Sequence, residues 1–213
     1  MILNLKYFFT AVLLNLALLS HPTFAQDTLF RNIQLAHGIS LDVPSHWSVL
    51  SLENRKNLEA AGQALADNAG IEGEDAVKEP LLAMNATPYP TGAMIRVSVT
   101  HFPSYTQSDL AAATSVDLEE LRANTLKMFK QLESSGGPQI IEMQPMRIER
   151  INHYLVLVMP YVRAGVKGPY HWQVTQYKIP ASNYLIEITL SYRQSDSIIW
   201  RPILERVKRS VKF

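Results

Sequence analysis

The chain has 213 residues, 20 of them basic and 19 acidic, and no cysteine. The even charge balance excludes the strong positive field on which bulk nucleic-acid binding relies. The missing cysteine excludes disulfides, cysteine lipidation, a thiol nucleophile and thiolate metal ligands.

Met1 to Ala25 reads as a secretory signal peptide. Lys6 supplies a positive start, "YFFTAVLLNLALL" (Tyr7 to Leu19) is apolar and uncharged, and "HPTFA" offers Pro22 and small residues before a cut after Ala25. The apolar run is shorter than the roughly 20 residues that span a bilayer, so no stable membrane anchor is expected after cleavage. The remaining segment, residues 26–213, suits one domain with a sizeable core held by packing alone.

Period-two patterns come first. "LFRNIQLA" (Leu29 to Ala36) and "GISLDV" (Gly38 to Val43) predict a hairpin turning at His37-Gly38, with Ile39, Leu41 and Val43 on one face. Pro44 ends the second strand because it cannot donate to a ladder. Trp47 follows, and is read as a buried anchor that turns back over the sheet edge. Ser51 to Asn68 predicts a helix with a thin apolar stripe of Leu58, Ala61, Leu65 and Ala69. "AGIEGEDAVKEP" reads as a polar, acidic loop. "LLAMNAT" and "AMIRVSVTHF" predict two strands, the second alternating Ile95, Val97 and Val99 with Arg96, Ser98 and Thr100.

Asp109 to Ser134 predicts one long helix. Leu118, Leu121, Thr125, Met128 and Leu132 recur at spacings of three and four, and "SSGGP" stops it. Burying such a stripe is worth on the order of 10 kcal/mol before entropy is subtracted. Four strands are then expected: "QIIEMQPMRIERI", "YLVLVMPYVRA", "YHWQVTQYKI" and "YLIEITLSYR". The second is apolar at both parities, which requires layers on both faces of the sheet. Placing Trp172 and Val174 opposite Tyr192 and Leu190 predicts an even-sum register for the last hairpin, joined through Ala181-Ser182-Asn183. The chain closes with an amphipathic helix, "SIIWRPILERVKRSVKF". Its stripe is Trp200, Ile203, Leu204, Val207 and Val211, its N-cap is Asp196 or Ser197, and Pro202 is expected in its first turn.

Two stretches, "GISLDVPSHW" and "YLIEITLSYRQSDSIIWRPILERVKRSVKF", together resemble the PsbP-like superfamily, which includes the extrinsic PsbP subunit of photosystem II and a Ran-binding import factor. Its members open on a strand with small, apolar and proline-tryptophan features. They close on a Thr- and Ser-rich strand feeding a helix with an early aromatic. The resemblance implies an α+β fold, an α/β/α sandwich whose antiparallel β-sheet is covered by helices on both faces. It implies accessory or partner-binding roles more often than catalysis.

Candidate chemistry is sparse. His37, His46, His101, His153 and His171 lack metal-ligand spacing; His153 and His171 flank adjacent predicted strands and could meet beside Glu149. No G-x-S-x-G is present, and "SSGGP" is explained by helix termination. Glu119-Glu120 and Glu72, Glu74 and Asp75 read as solvated carboxylates. The basic residues of the last helix read as its outer face. "NAT" (Asn85 to Thr87) is a glycosylation sequon only in a eukaryotic secretory pathway.

One surface stands out. Under the even register the last hairpin presents Gln173, Thr175, Tyr177, Glu187, Thr189, Ser191 and Arg193 on one polar face, which could line a groove. The sequence therefore predicts a periplasmic or secreted, non-catalytic accessory domain that binds an envelope or periplasmic protein. No catalytic residue, metal or cofactor is expected. The alternative is a small-ligand or metal-binding module using the polar face of the 170–193 hairpin.

Overall fold

A computed structural model describes residues 28–71, 78–87, 91–101, 103–165 and 168–213. The signal-peptide segment and residues 72–77 of the acidic loop lie outside these residues.

Strands β1 (Phe30–Gln34) and β2 (Ser40–Pro44) form the expected antiparallel hairpin, with Ile33 opposite Leu41. Its turn places both His37 and Gly38 at positive φ, 60° and 74°, a conformation glycine takes freely and histidine does not. The short β3 (Ser48–Val49) leads to α1 (Leu52–Asn68), capped by the Ser51 hydroxyl, which accepts from the Asn54 N–H. Then come β4 (Lys78–Asn85) and β5 (Ala93–His101). Lys78, Glu79 and Pro80, expected in a loop, begin β4, because they pair with β5 up to a bulge after Pro80.

The predicted helix from Asp109 to Ser134 is two helices, α2 (Gln107–Ala112) and α3 (Ser115–Ser134). Each opens on its own capping box, Thr106 with Asp109 and Thr114 with Asp117, and the second box breaks the helix at Ala113-Thr114. The stripe is also shallower than expected: only Thr125 of α3 is buried and Leu121 is exposed. The stop at Ser134 to Gly137 is as expected, with the Gly137 N–H reaching back to the Leu132 carbonyl.

"QIIEMQPMRIERI" likewise divides, into β6 (Ile140–Met143) and β7 (Arg147–Ile151), both pairing with β8 (Tyr154–Ala164). Pro145 and Pro160, neither of which can donate a ladder hydrogen bond, lie at the break. After β9 (His171–Pro180) and β10 (Tyr184–Arg193) the chain enters α4 (Ser197–Ser210). Asp196 is its N-cap residue. Pro202 sits one turn further in than expected. The carbonyl it leaves unpaired, four residues back, belongs to the exposed Ile198, so water can satisfy it.

The eight-stranded sheet runs β3-β4-β5-β10-β9-β8-β6, with β7 beside β6 along β8. One face holds the larger core. There α4, through Leu204 and Val207 with Val211 just past its end, and β2, through Leu41 and Val43 with Ile39 just before it, cover Ile95, Val97, Ile186, Ile188, Val156 and Val158. Trp47 is buried in this core, with Trp200 edge-on at 5.8 Å. The proline-tryptophan corner therefore fastens the chain to the core, as read from the sequence. The opposite face holds a second core, where Leu110 of α2 and Leu126 and Phe129 of α3 meet Leu157, Met159, Tyr161 and Val174. Strand β8 is buried at both parities from Val156 to Val162, as its sequence required. The fold is an α+β sandwich with an antiparallel sheet between helical layers.

The register of the last hairpin differs from the expected one. Arg193 lies opposite Trp172, Ser191 opposite Val174, Leu190 opposite Thr175 and Ile188 opposite Tyr177, an odd-sum register. Strand β9 feeds two cores, β10 only the first. Trp172 and Val174 serve the second, whereas Tyr177, Ile179 and the even residues of β10 serve the first. Matching apolar with apolar across the hairpin had assumed a single core.

Candidate functional site: a basic cleft over the second face

The register divides the polar set named from the sequence. Gln173, Thr175 and Tyr177 share the face of Leu190 and Ile188, and Tyr177 is buried in the first core. Glu187, Thr189, Ser191 and Arg193 lie on the opposite face, beside Lys178, Gln176, Val174 and Trp172. On the other side of β10, Thr189 pairs with Arg96, Ser191 with Met94 and Glu187 with Ser98, so the polar positions of β5 join this second group. Helices α2 and α3 cover this face over β8 and β6, whereas α1 packs at β4. The middle, over β5 and β10, is left as a cleft of about 380 Å³.

Four basic side chains line the cleft, Arg55, Lys78, Arg96 and Arg163, against one acid, Glu59. The Ser98, Thr189 and Ser191 positions and the apolar Met94, Leu58, Tyr161 and Val174 are also part of the lining. Arg96 is held by neutral acceptors. One terminal nitrogen donates to the carbonyls of Met84 (2.7 Å) and Ile95 (2.9 Å), the other to Asn85 Oδ1 (2.8 Å) and toward the Met94 sulfur (3.4 Å). Burial brings its pKa down to about 10. The sequon residue Asn85 thus belongs to a strand, its amide engaged by Arg96. Arg55 donates to the carbonyls of Leu81 and Pro80, and its Nε is buried without a partner among the described residues. Arg163 donates to the Ala164 carbonyl at 3.0 Å and stands over the Trp172 ring at 5.6 Å; burial lowers its pKa too.

Glu187 is paired with Lys78 of the cleft lining. Lys78 reaches it at 2.8 Å and Lys178 at 2.9 Å. Burial alone would raise the carboxyl's pKa, but the two ammonium groups outweigh it and bring it to about 2. Lys78 is itself opposed by burial, and the Glu187 carboxylate more than restores it, so its pKa rises. Arg193, on the same face of β10, is engaged with Asp196 at 3.4 Å and lies over the Tyr170 ring at 4.9 Å. The cleft is rich in donors and positive charge, and no histidine lines it among the described residues.

His153 and His171 do not meet. His153 precedes one end of β8, while His171 pairs with Ala164 at the other. The pair that does meet is His37 and His101, whose Nε2 atoms lie 2.9 and 4.0 Å from one Glu79 oxygen, with the rings 6.0 Å apart. Antiparallel pairing of β4 with β5 sets Glu79 beside this corner, and the β1–β2 turn brings in His37. Among the described residues no three of His, Cys, Asp and Glu gather as metal ligands. No described helix is long and apolar enough to cross a membrane.

No family model matches the chain, and no curated protein matches it. Solved structures do. The chain is similar to the cyanobacterial PsbP, CyanoP, of Synechocystis sp. PCC 6803, at 14% identity and a TM-score of 0.51 over 87% of this chain and 92% of that one. LpqN of Mycobacterium tuberculosis, which is involved in cell envelope biogenesis, aligns at 10% identity and a TM-score of 0.47, over 89% of this chain and 94% of that one. The fold is PsbP-like, as the two ends of the sequence suggested.

Proposed function

We propose that this protein is an extracytoplasmic, non-catalytic accessory domain that binds a protein partner in the periplasm or cell envelope. The observation that carries the reading is α1. It runs for 17 residues without one buried side chain, and Leu52 and Leu58 expose apolar surface along it, as does Val49 of the preceding β3. A helix so thinly attached gains little from its own fold, and an apolar rim on it suits a partner. The signal-peptide pattern at residues 1–25 supports the location. A photo-crosslinking residue at Leu52 tests the reading in the native host. Reproducible capture of one envelope protein, absent from a probe at Arg209 on the far face, is expected. No adduct from Leu52, or the same adducts from both positions, would overturn it.

The cleft favours a second reading, a small-ligand module in which Glu187, Thr189, Ser191 and Arg193 belong to the binding surface and Gln173, Thr175 and Tyr177 do not. Its size falls in the range of small-molecule pockets, and charged and hydroxyl groups alternate with apolar ones along its lining. Thermal-shift screening of metabolites and metals tests it, since a ligand of the native state alone raises Tm by mass action.

A further inference from the structure

Resting on that second reading, we propose that the cleft takes a small organic anion, a carboxylate or phosphate ester with a short apolar body. Arg55 and Arg96 stand on the β4 side, and Arg163 on the β8 side. Strands β5 and β8 are three steps apart in the sheet, or about 14 Å at the usual strand spacing. Two long side chains reaching inward from that separation leave room for one small molecule between them.

The arginines lack counter-charges that the lysines have. Lys78 and Lys178 are neutralised on Glu187. Arg55, Arg96 and Arg163 have no carboxylate within ion-pair distance among the described residues. Arg96 is half-buried against neutral carbonyls and an amide. Such acceptors fix the direction of a guanidinium without cancelling its charge. A buried charge left this way is costly to the fold, and an anion meeting it recovers part of that cost as affinity. The buried, unpartnered Nε of Arg55 points to the same deficit in acceptors. The hydroxyl residues Ser98, Thr189 and Ser191 supply further donors on the floor, and Met94, Tyr161 and Val174 offer apolar surface beside them. A bare inorganic ion would leave that surface unused.

Titration of the full chain with hexyl phosphate, hexanoate, inorganic phosphate and hexanol, followed by calorimetry and backbone NMR, tests the inference. At least one of the two amphiphilic anions is expected to saturate with Kd at or below about 1 mM. It should perturb amides of β5 and β10, bind more tightly than inorganic phosphate, and weaken about tenfold or more in Arg163→Gln and Arg96→Gln, the loss typical of a charged hydrogen bond. Arg163 lies near the end of its strand, so R163Q decides the matter if R96Q does not fold. Hexanol binding as tightly as hexyl phosphate would leave a small-ligand cleft standing and overturn its assignment to anions. Inorganic phosphate binding as tightly as either amphiphile would overturn the apolar part of the assignment. Neither anion saturating, or R163Q binding them as well as the native chain, would overturn the inference itself.

Discussion

Glu187 shows how one buried carboxylate ties stability to pH. Its folded pKa is about 2 against an ordinary 4.5. A carboxyl depressed on folding stabilises the native state fully above the ordinary value, and that contribution disappears as pH falls toward the folded one. The shift corresponds to on the order of 3 kcal/mol lost between about pH 5 and pH 2. Denaturant melts across that window should therefore fall more steeply for the native protein than for Glu187→Gln. At pH 7 the variant should be the less stable, because Lys78 and Lys178 then face each other without their counter-charge. Parallel pH profiles would contradict this account. Gly92 carries a packing prediction. A Cβ there would lie 2.7 Å from Trp200 Nε1 and 2.9 Å from two ring carbons. Gly92→Ala must push the indole off Trp47, at a cost of about 1–3 kcal/mol, with a shift in tryptophan emission that an alanine at an open glycine such as Gly62 would not produce. At this scale the sequence was partly legible. Glu187, Thr189, Ser191 and Trp47 can be named from alternation and residue type. Arg96 and Lys78 could not be assigned to the same site, because sharing a face with β10 depends on strand order, which alternation does not encode.

Elements were legible where one periodicity ran undisturbed, and misread where a local signal interrupted it. Strand β10 spans the expected residues from Tyr184 to Arg193. The break between α2 and α3 was written in Thr114 and Asp117, a cap with its reciprocal acid three residues on, yet apolar spacing continues across it and hides it. Strand β9 is the harder case. Its apolar residues change parity between Val174 and Tyr177, from the second core to the first. A register drawn from either half alone is consistent with that half and wrong for the other. The absence of native cysteine makes the register directly testable. Val174→Cys with Ser191→Cys places two thiols on directly opposed residues, whose Cα atoms in an antiparallel ladder stand about 4.5–5.5 Å apart, within disulfide reach. Mild oxidation should join them, the added oxidant taking two electrons and two protons, so that the mass falls by two hydrogen atoms. Val174→Cys with Leu190→Cys, opposed only in the even register, should stay reduced, because those side chains leave opposite faces of the sheet. The reverse result would restore the register predicted from sequence and put Thr175 back beside Thr189.

The molecule is two cores of unequal strength on one sheet. The first is closed from outside by the β1–β2 hairpin and α4, and the two ends of the described chain are joined there, Ser40 and Lys212 exchanging backbone hydrogen bonds at 2.8 Å. The second is sealed by α2 and α3 only over β6 to β9, and α1 beside it buries no side chain. Both ends of the described chain belong to the first core, which is why the end motifs foretold the fold, while the cleft on the other face went largely unread. The same asymmetry predicts a hierarchy of opening. Local unfolding follows buried apolar contact, so segments with little of it open at a fraction of the global free energy. Amides of α1 should exchange first, through openings that depend weakly on denaturant. Those of α3 should follow, and those of β5, β10 and α4 should exchange only with global unfolding. A ligand seated between α1 and the sheet would slow α1 selectively, since it adds contacts where the fold supplies few. If α1 amides were instead as protected as those of β10 in the free protein, the helix would be held by contacts of the first-core kind, and its exposed leucines would be ordinary surface residues. Hydrogen exchange with and without hexyl phosphate measures both the hierarchy and its response to a filled cleft.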